Sequence, residues 1–333
     1  MNKVVLGFSG GVDSAVSAKL LLSQGYEVIG LHLLTGPVSA EDEARSAAEY
    51  LGIPLFVRDV RPQMEEFVCR PFAESYRCGE TPNPCVICNP AVKFRSLCDF
   101  ADEIGAPYIS TGHYARSQDG GIYRGSPDND QSYMLSRLTR SQAARLLLPL
   151  GPYKKTEVRA LAADHGLAAA NKPDSMEICF IPDKDYIGWL ERRGVVPPPG
   201  NFLFHGECLG QHEGIHRYTV GQRRPGLYNE RKLYVSEICP ETGDIILALW
   251  EELFRTEFHV RDLNWLIPSP EGPVQASVKV RHTKWECPPC TVFPDSNGGA
   301  VVRTEDAVRA PARGQAAVFY ADDGRLLGGG FIC

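Results

Sequence analysis

The chain has no apolar run approaching the roughly 18 residues that cross a membrane, and it has no low-complexity tract. Met1-Asn2-Lys3 leads straight into an apolar strand, which leaves no room for a signal peptide. A cytoplasmic protein with no membrane partner is expected. Excess positive charge is missing too: 35 basic against 41 acidic residues give a net charge of -6, which excludes a global pull toward nucleic acid. Any RNA contact must therefore use local basic patches. Neither G-x-x-x-x-G-K-[ST] nor G-x-G-x-x-G occurs, so the two best-known nucleotide loops are excluded. Zinc is disfavoured, because the Cys85/Cys88 and Cys287/Cys290 pairs lie far outside ribbon spacing. In a reducing compartment the eleven cysteines are expected as thiols rather than structural cross-links.

What is present begins with Val4-Val5-Leu6-Gly7-Phe8-Ser9-Gly10-Gly11-Val12-Asp13-Ser14. An apolar run without polar side chains reads as a buried parallel strand, and Val16, Leu20 and Leu21 follow at helical spacing. Between them, Gly10 and Gly11 let the backbone approach a ligand, while the free N–H groups that open the helix favour an anion. Ser9 and Ser14 add hydroxyls. Ser-Gly-Gly-x-Asp-Ser resembles the loop of the ATP pyrophosphatases, which cleave ATP between its α- and β-phosphates; a plain tight turn is the alternative reading.

At 333 residues the chain is long enough for two or three domains. Glu27 to Leu34 reads as a second strand, Ala40 to Leu51 as a helix capped by Ser39 and stopped by Gly52, and Pro54 to Val60 as a third strand. This alternation predicts an α/β fold with a parallel sheet and ligands at the carboxyl ends of the strands. Arg77 to Asn89 holds Pro82, Pro84 and Gly79, and is expected to be a surface loop presenting Cys85 and Cys88. Zinc ligation, redox or sulfur chemistry, and two incidental buried thiols compete as its meaning. A fourth strand, Tyr108 to Thr111, runs into Gly112 and His113; the histidine is a ligand, a base or simply hydrogen-bonded in place. Gly120-Gly121 suggests a hairpin, Asp128 to Tyr133 a polar cap entering a helix, and Lys155 to His165 a helix stopped by Gly166. Cys179 falls in a β-prone segment after a polar turn.

Taken together these segments resemble the tRNA-specific 2-thiouridylase family, which replaces the 2-oxygen of the wobble uridine with sulfur in an ATP-dependent reaction. The match runs through Gly7 to Ser14, Thr81 to Asn89, Lys93-Phe94, Thr111 to Ala115, Asp130 to Tyr133, Asp174-Ser175, Ile178-Cys179-Phe180, Tyr218 to Arg223 and Gly314 to Tyr320, essentially end to end. The resemblance implies a catalytic pair, with the nucleophile at Cys88 and the persulfide carrier at Cys179. It implies ATP contacts at Gly7, Phe8, Ser9, Gly10, Gly11, Val12, Asp13 and Ser14, at Leu33 through its backbone, and at Gly112. RNA contacts are implied at Asn83, Pro84 and Cys85, at Asn129, Asp130 and Gln131, and at Arg281 and His282. Family members commonly carry Lys in place of Asn129 and Tyr in place of His282, and the segment at Thr35-Gly36-Pro37 is short.

Chemistry gives the pair a task. Adenylation turns the uracil 2-oxygen into a good leaving group, with Mg²⁺ and the loop amides stabilising the departing pyrophosphate. A persulfide on Cys179 then delivers sulfur, and Cys88 ends in a disulfide with it. A sulfur carrier protein is expected as donor, beside tRNA as substrate. An iron–sulfur cluster held by Cys85, Cys88 and Cys179 is the rival arrangement, less favoured than the persulfide. The alternatives to the whole reading are an ATP pyrophosphatase that adenylates a substrate for amidation, which leaves both cysteines idle, and a non-thiolating RNA-binding paralogue.

After Val196-Pro197-Pro198-Pro199-Gly200, a linker by composition, short strand-like runs appear: Leu233 to Ile238, Asp244 to Leu249, Val274 to Val280, Ala300 to Thr304 and Ala316 to Tyr320. They predict two small all-β units. The expected division is a nucleotide domain over 1–199, a central β domain over 200–257 and a C-terminal β-barrel over 258–333. Arg217, Arg223, Arg224, Arg231 and Lys232, interleaved with Tyr218 and Tyr228, form the basic stretch best suited to an RNA backbone.

Overall fold

The computed structural model describes residues 2–38, 40–167, 178–224, 232–281 and 287–333. Strand β1, Lys3–Gly7, carries three fully buried residues and feeds helix α1, Val12–Ser23. Strand β2 is Glu27–Leu34, helix α2 Glu41–Leu51 and strand β3 Leu55–Asp59. Gly52 ends α2 in the left-handed conformation at φ 67°, as a C-terminal glycine should. The proposed cap, Ser39, lies outside the described residues. Strand β4, Tyr108–Ser110, precedes a hairpin of β5, Ala115–Gln118, and β6, Gly121–Arg124. Its two turn residues, Asp119 and Gly120, both have positive φ, the geometry that suits a two-residue hairpin. Strand β7, Leu146–Leu147, completes a parallel sheet of order β3-β2-β1-β4-β7.

That order reverses between β1 and β4. The crevice of an open α/β sheet lies at such a reversal. The opening Gly-rich turn and Gly112 both stand there.

Three segments differ from their sequence expectation. The loop expected over Arg77 to Asn89 gives way to helix at its second half: Pro84–Cys88 is helical, a π-turn follows over Asn89–Lys93, and Phe94–Glu103 continues as α-helix. Proline is tolerated at the first helical position, where its missing N–H would have no partner anyway, so Pro84 starts the helix. Pro90, which cannot donate to the carbonyl one turn back, falls inside the π-turn. A second π-turn, Glu65–Cys69, interrupts the helix over residues 61–77. Cys179 sits in a turn rather than a strand, and Asp128 to Tyr133 leads only into the 3-10 turn Ser132–Leu135. Asp174-Ser175 lies outside the described residues.

The all-β expectation for the second half holds. Strands β8, Gly200–Phe204, β9, Glu207–His212, β10, Arg223–Arg224, β11, Leu233–Cys239, and β12, Asp244–Ala248, form one sheet. Strands β13, Phe254–Trp265, β14, Val274–Lys279, β15, Pro289–Pro294, β16, Ala300–Arg309, β17, Ala316–Tyr320, and β18, Leu326–Ile332, close a six-stranded antiparallel barrel.

Strand β17 is buried at every position. Its alternation divides it between two cores: Ala317 and Phe319 fill the barrel, while Ala316, Val318 and Tyr320 join the core beneath the parallel sheet. Polar ties reinforce this seam. Tyr133 donates from its hydroxyl to the Ala316 carbonyl at 2.8 Å, and the Asn264 amide donates to the carbonyls of Ser136 and Leu138 at 3.0 and 2.9 Å. Replacing Asn264 by Ala strands two acceptors, and at about 1–3 kcal/mol per unsatisfied group the first thermal unfolding transition should fall. An unchanged transition would show that the barrel docks without this contact.

Candidate active site

The turn after β1 is held tightly. Gly10 has φ 77°, and a Cβ there would stand 2.8 Å from the backbone N and Cα of Ala44, so α2 packs directly on the turn. Ser14 donates to the Gly11 carbonyl at 3.0 Å, and the Gly11 N–H donates to Ser9 Oγ at 3.3 Å. Opposite, Gly112 comes so close that a Cβ on it would lie 3.0 Å from that of Asp13. Small residues are thus required from both strands that border the crevice. Gly7 and Phe8 lead into the turn, Val12 is buried at the start of α1, and Leu33 lies near the carboxyl end of β2.

Asp13 does not point freely into the crevice. Both carboxylate oxygens accept from Lys155 Nζ at 2.7 Å, and Oδ1 also accepts from the Tyr114 hydroxyl at 2.6 Å. Neither partner was singled out in the sequence, because a lysine that opens a distant helix gives no local signal. The Lys155 ammonium, half-buried and already paired, brings positive charge to the edge of the Gly-rich turn.

Cys88 is 4% exposed and donates from Sγ to the Met64 sulfur at 3.5 Å. Burial pushes its thiol up to about 12, against the pull of the Lys93 charge. Cys179 arrives from the other side of the chain. Phe180 is wedged among Phe72, at 5.5 Å between ring centroids, and Trp189, at 5.3 Å, in the same apolar cluster that holds Cys88. The neighbouring Cys179 stays exposed, and its carbonyl packs on Gly36, where a Cβ would come within 2.8 Å. The short Thr35-Gly36-Pro37 segment therefore has a use: it lets the Cys179 turn close over the end of β2. Cys69, buried in the same cluster, is a further thiol that the sequence did not bring out; burial raises it to about 11. Among the described residues no three His, Cys, Asp or Glu side chains form a group that could hold a metal ion.

The start of the cysteine helix is clamped. Asn83 caps it by accepting from the Cys85 N–H at 3.2 Å, and the Asn89 amide donates to the Met134 carbonyl at 2.8 Å. Just upstream, the Thr81 N–H donates to the Arg313 carbonyl at 2.8 Å and Gln315 donates to the Thr81 carbonyl at 2.7 Å, both from the barrel.

The expected RNA residues are scattered in role. Asn83, Pro84 and Cys85 form the helix start, with Cys85 exposed. Asp130 accepts from the N–H groups of Gly125 and Ser132 at 2.9 and 3.0 Å, and Gln131 accepts from the Tyr114 N–H at 3.1 Å; both carboxamide and carboxylate are used to build the loop. The buried amide of Asn129 has no hydrogen-bond partner. Arg281 reaches the Ala310 carbonyl at 2.5 Å, and His282 lies outside the described residues. Of the basic stretch, Arg217 pairs with Glu191 at 2.6 Å and Arg224 stacks on Tyr218 and Phe202 at 5.0 and 5.1 Å; Arg223 and Lys232 are exposed, and Tyr228 and Arg231 lie outside the described residues.

His113, bonded through Nδ1 to Thr111 Oγ1 at 2.7 Å, is lowered to about 3 by burial, with the Lys93 charge adding to the effect. A histidine held neutral in the fold and free to protonate when unfolded makes stability rise with pH from about 3 to 6.5. The His113 ring should show no NMR titration between pH 5 and 8. A midpoint near 6.5 would mean that the ring is solvated.

Comparison with known proteins joins these observations. Family models match in three consecutive stretches: a tRNA methyl transferase HUP domain over residues 2–183, a tRNA methyl transferase PRC-barrel domain over 191–248 and an aminomethyltransferase beta-barrel domain over 255–332. A tRNA-specific 2-thiouridylase MnmA of Syntrophotalea carbinolica is 42% identical, covering 99% of this chain and 98% of that protein. Its counterpart from Carboxydothermus hydrogenoformans is 41% identical, covering 99% and 97%. Among solved structures, a 4-thiouridine synthetase–RNA complex with bound ATP aligns at 18% identity over 58% of this chain and 50% of that one; its TM-score of 0.39 is too low to bear on function. On the full-length match to these relatives, the chain belongs to the tRNA-specific 2-thiouridylase family.

Proposed function

We propose that this protein thiolates the 2-position of a tRNA uridine, consuming ATP and drawing sulfur from a persulfide on Cys179. The observation that carries the reading is the convergence of Cys88 and the Cys179 turn on one apolar cluster, at the sheet edge where the Gly-rich turn stands. The turn amides and Lys155 suit the phosphates of ATP. Both oxygens of the loop carboxylate Asp13 already accept from Lys155, so a Mg²⁺ ion would be held by the phosphate oxygens of ATP rather than by the loop. That ion would supply Lewis-acid stabilisation of the leaving pyrophosphate.

Once the 2-oxygen is adenylated, the terminal sulfur of the Cys179 persulfide attacks C2 and AMP departs. The Cys88 thiolate then attacks the Cys179 sulfur, which releases thiouridine and leaves a Cys88–Cys179 disulfide. A dithiol reductant restores both thiols, and a sulfur carrier protein reloads Cys179. The cytoplasm is the compartment such a reaction requires; among the described residues no helix is long and apolar enough to cross a membrane. We also propose three domains divided near residues 199 and 257, the second boundary falling at the start of the barrel strand β13. A substrate-amidating enzyme would have no use for the paired cysteines.

With tRNA, ATP and a persulfide donor, mass spectrometry of nucleosides should detect 2-thiouridine from the wild type and from Cys85→Ser, but none from Cys88→Ser or Cys179→Ser. Thiouridine from both of the latter would refute the assignment. For tRNA binding, Arg223→Ala should reduce the salt slope by about one, as loss of one phosphate contact does. Arg224→Ala should leave that slope alone, since its guanidinium is spent on Tyr218 and Phe202. The reverse pattern would move the RNA surface elsewhere.

A further inference from the structure

Lys93 has no assigned task, yet it stands among the thiols. In a regular helix, residue i+5 lies about 140° round from residue i, so Lys93 would turn away from Cys88. The π-turn Asn89–Lys93 inserts one extra residue and rotates Lys93 back by about 100°, onto the Cys88 side. Its position shows in the electrostatics. Burial alone disfavours the ammonium, but the thiols of Cys88, Cys85 and Cys179 outweigh that and hold Lys93 above its ordinary value. Among the described residues no carboxylate pairs with it.

Among the described residues, the surrounding groups leave this charge without a counter-ion. On its own helix stand Cys85 and Cys88; from the 178–181 turn comes Cys179; beyond β4 stands His113, which stays neutral. The helix over residues 61–77 contributes Cys69 and Glu65, and Glu65 is closed in a bidentate pair with Arg193 at 2.7 Å. Cys88, whose hydrogen-bond partner is a thioether, cannot shed its proton readily in this apolar pocket without a cation nearby.

We propose that Lys93 is an electrostatic positioning residue of sulfur transfer, its ammonium stabilising anionic sulfur first as the Cys179 persulfide and then as the Cys88 thiolate. The role rests on the thiolation reading above. It also gives the π-turn a purpose: the helix is underwound by one extra residue where its lysine must face its cysteine.

The test labels the free protein with methyl methanethiosulfonate at pH 8 and follows each cysteine by peptide mass. Lys93→Met should slow labelling of Cys88 by about tenfold, the effect of one pKa unit, while Lys93→Arg stays within about threefold of wild type. Cys208, exposed on the central sheet, serves as the control for folding and reagent. Should Lys93→Met not fold, Lys93→Gln replaces it. Cys88 labelling within twofold of wild type in the folded neutral variant would overturn the proposal. Because labelling needs neither tRNA nor ATP, that failure is separate from failure of the thiolation reading, which a wild-type protein that forms no thiouridine would reveal.

Discussion

The geometry of this protein depends on where one helix begins. Residues 84–103 start at Asn83, and that start is fixed from two sides: the barrel binds Thr81 through Arg313 and Gln315, and the 3-10 turn over Ser132–Leu135 binds Asn89 through Met134. The turn is itself pinned to β17, by Tyr133 on Ala316 and by a 3.0 Å hydroxyl pair between Ser132 and Tyr320. The barrel therefore helps to set the depth and direction of Cys88. Burying β17 on both faces makes this a core contact rather than a hinged one, consistent with the high cost of exposing an apolar strand.

Against that fixed helix stand two features built from small residues. Gly10 and Gly112 let the β1 turn and the β4 end close to within contact of α2 and Asp13, and Gly36 lets the Cys179 turn close on β2. A Cβ at Gly10 or Gly36 would come within 2.8 Å of backbone, and one at Gly112 would crowd Asp13 at 3.0 Å. The Gly-rich turn after β1 and the thiol-bearing turn at Cys179 thus share the carboxyl edge of one sheet. Phe180, packed edge-on against Phe72, anchors Cys179 there while leaving its thiol exposed.

Much of this was legible in the sequence. Apolar runs and glycine stops gave β2 as Glu27–Leu34 and β17 as Ala316–Tyr320, both without error at either end, because each is bounded by turn residues and has one uninterrupted composition. Strands β8, β9, β13, β15 and β18 were missed: their alternation is broken by prolines, glycines and charges that only barrel or sheet pairing accommodates. The helix at Pro84 was misread because proline carries opposite meanings at the first helical position and inside a helix, and only the cap at Asn83 distinguishes them. Partners distant in sequence gave no signal. Lys155 on Asp13, Met64 on Cys88 and the π-turn that brings Lys93 round are products of tertiary packing.

The central claim is that Cys88 and Cys179 complete one reaction as a pair, with Cys85 and Cys69 as bystanders. A single turnover without added reductant, quenched in acid and mapped by peptide mass, tests it most directly. The account predicts one Cys88–Cys179 disulfide for each thiouridine formed. A disulfide that includes Cys85 or Cys69 in its place, or thiouridine formed with all four thiols still reduced, would contradict it.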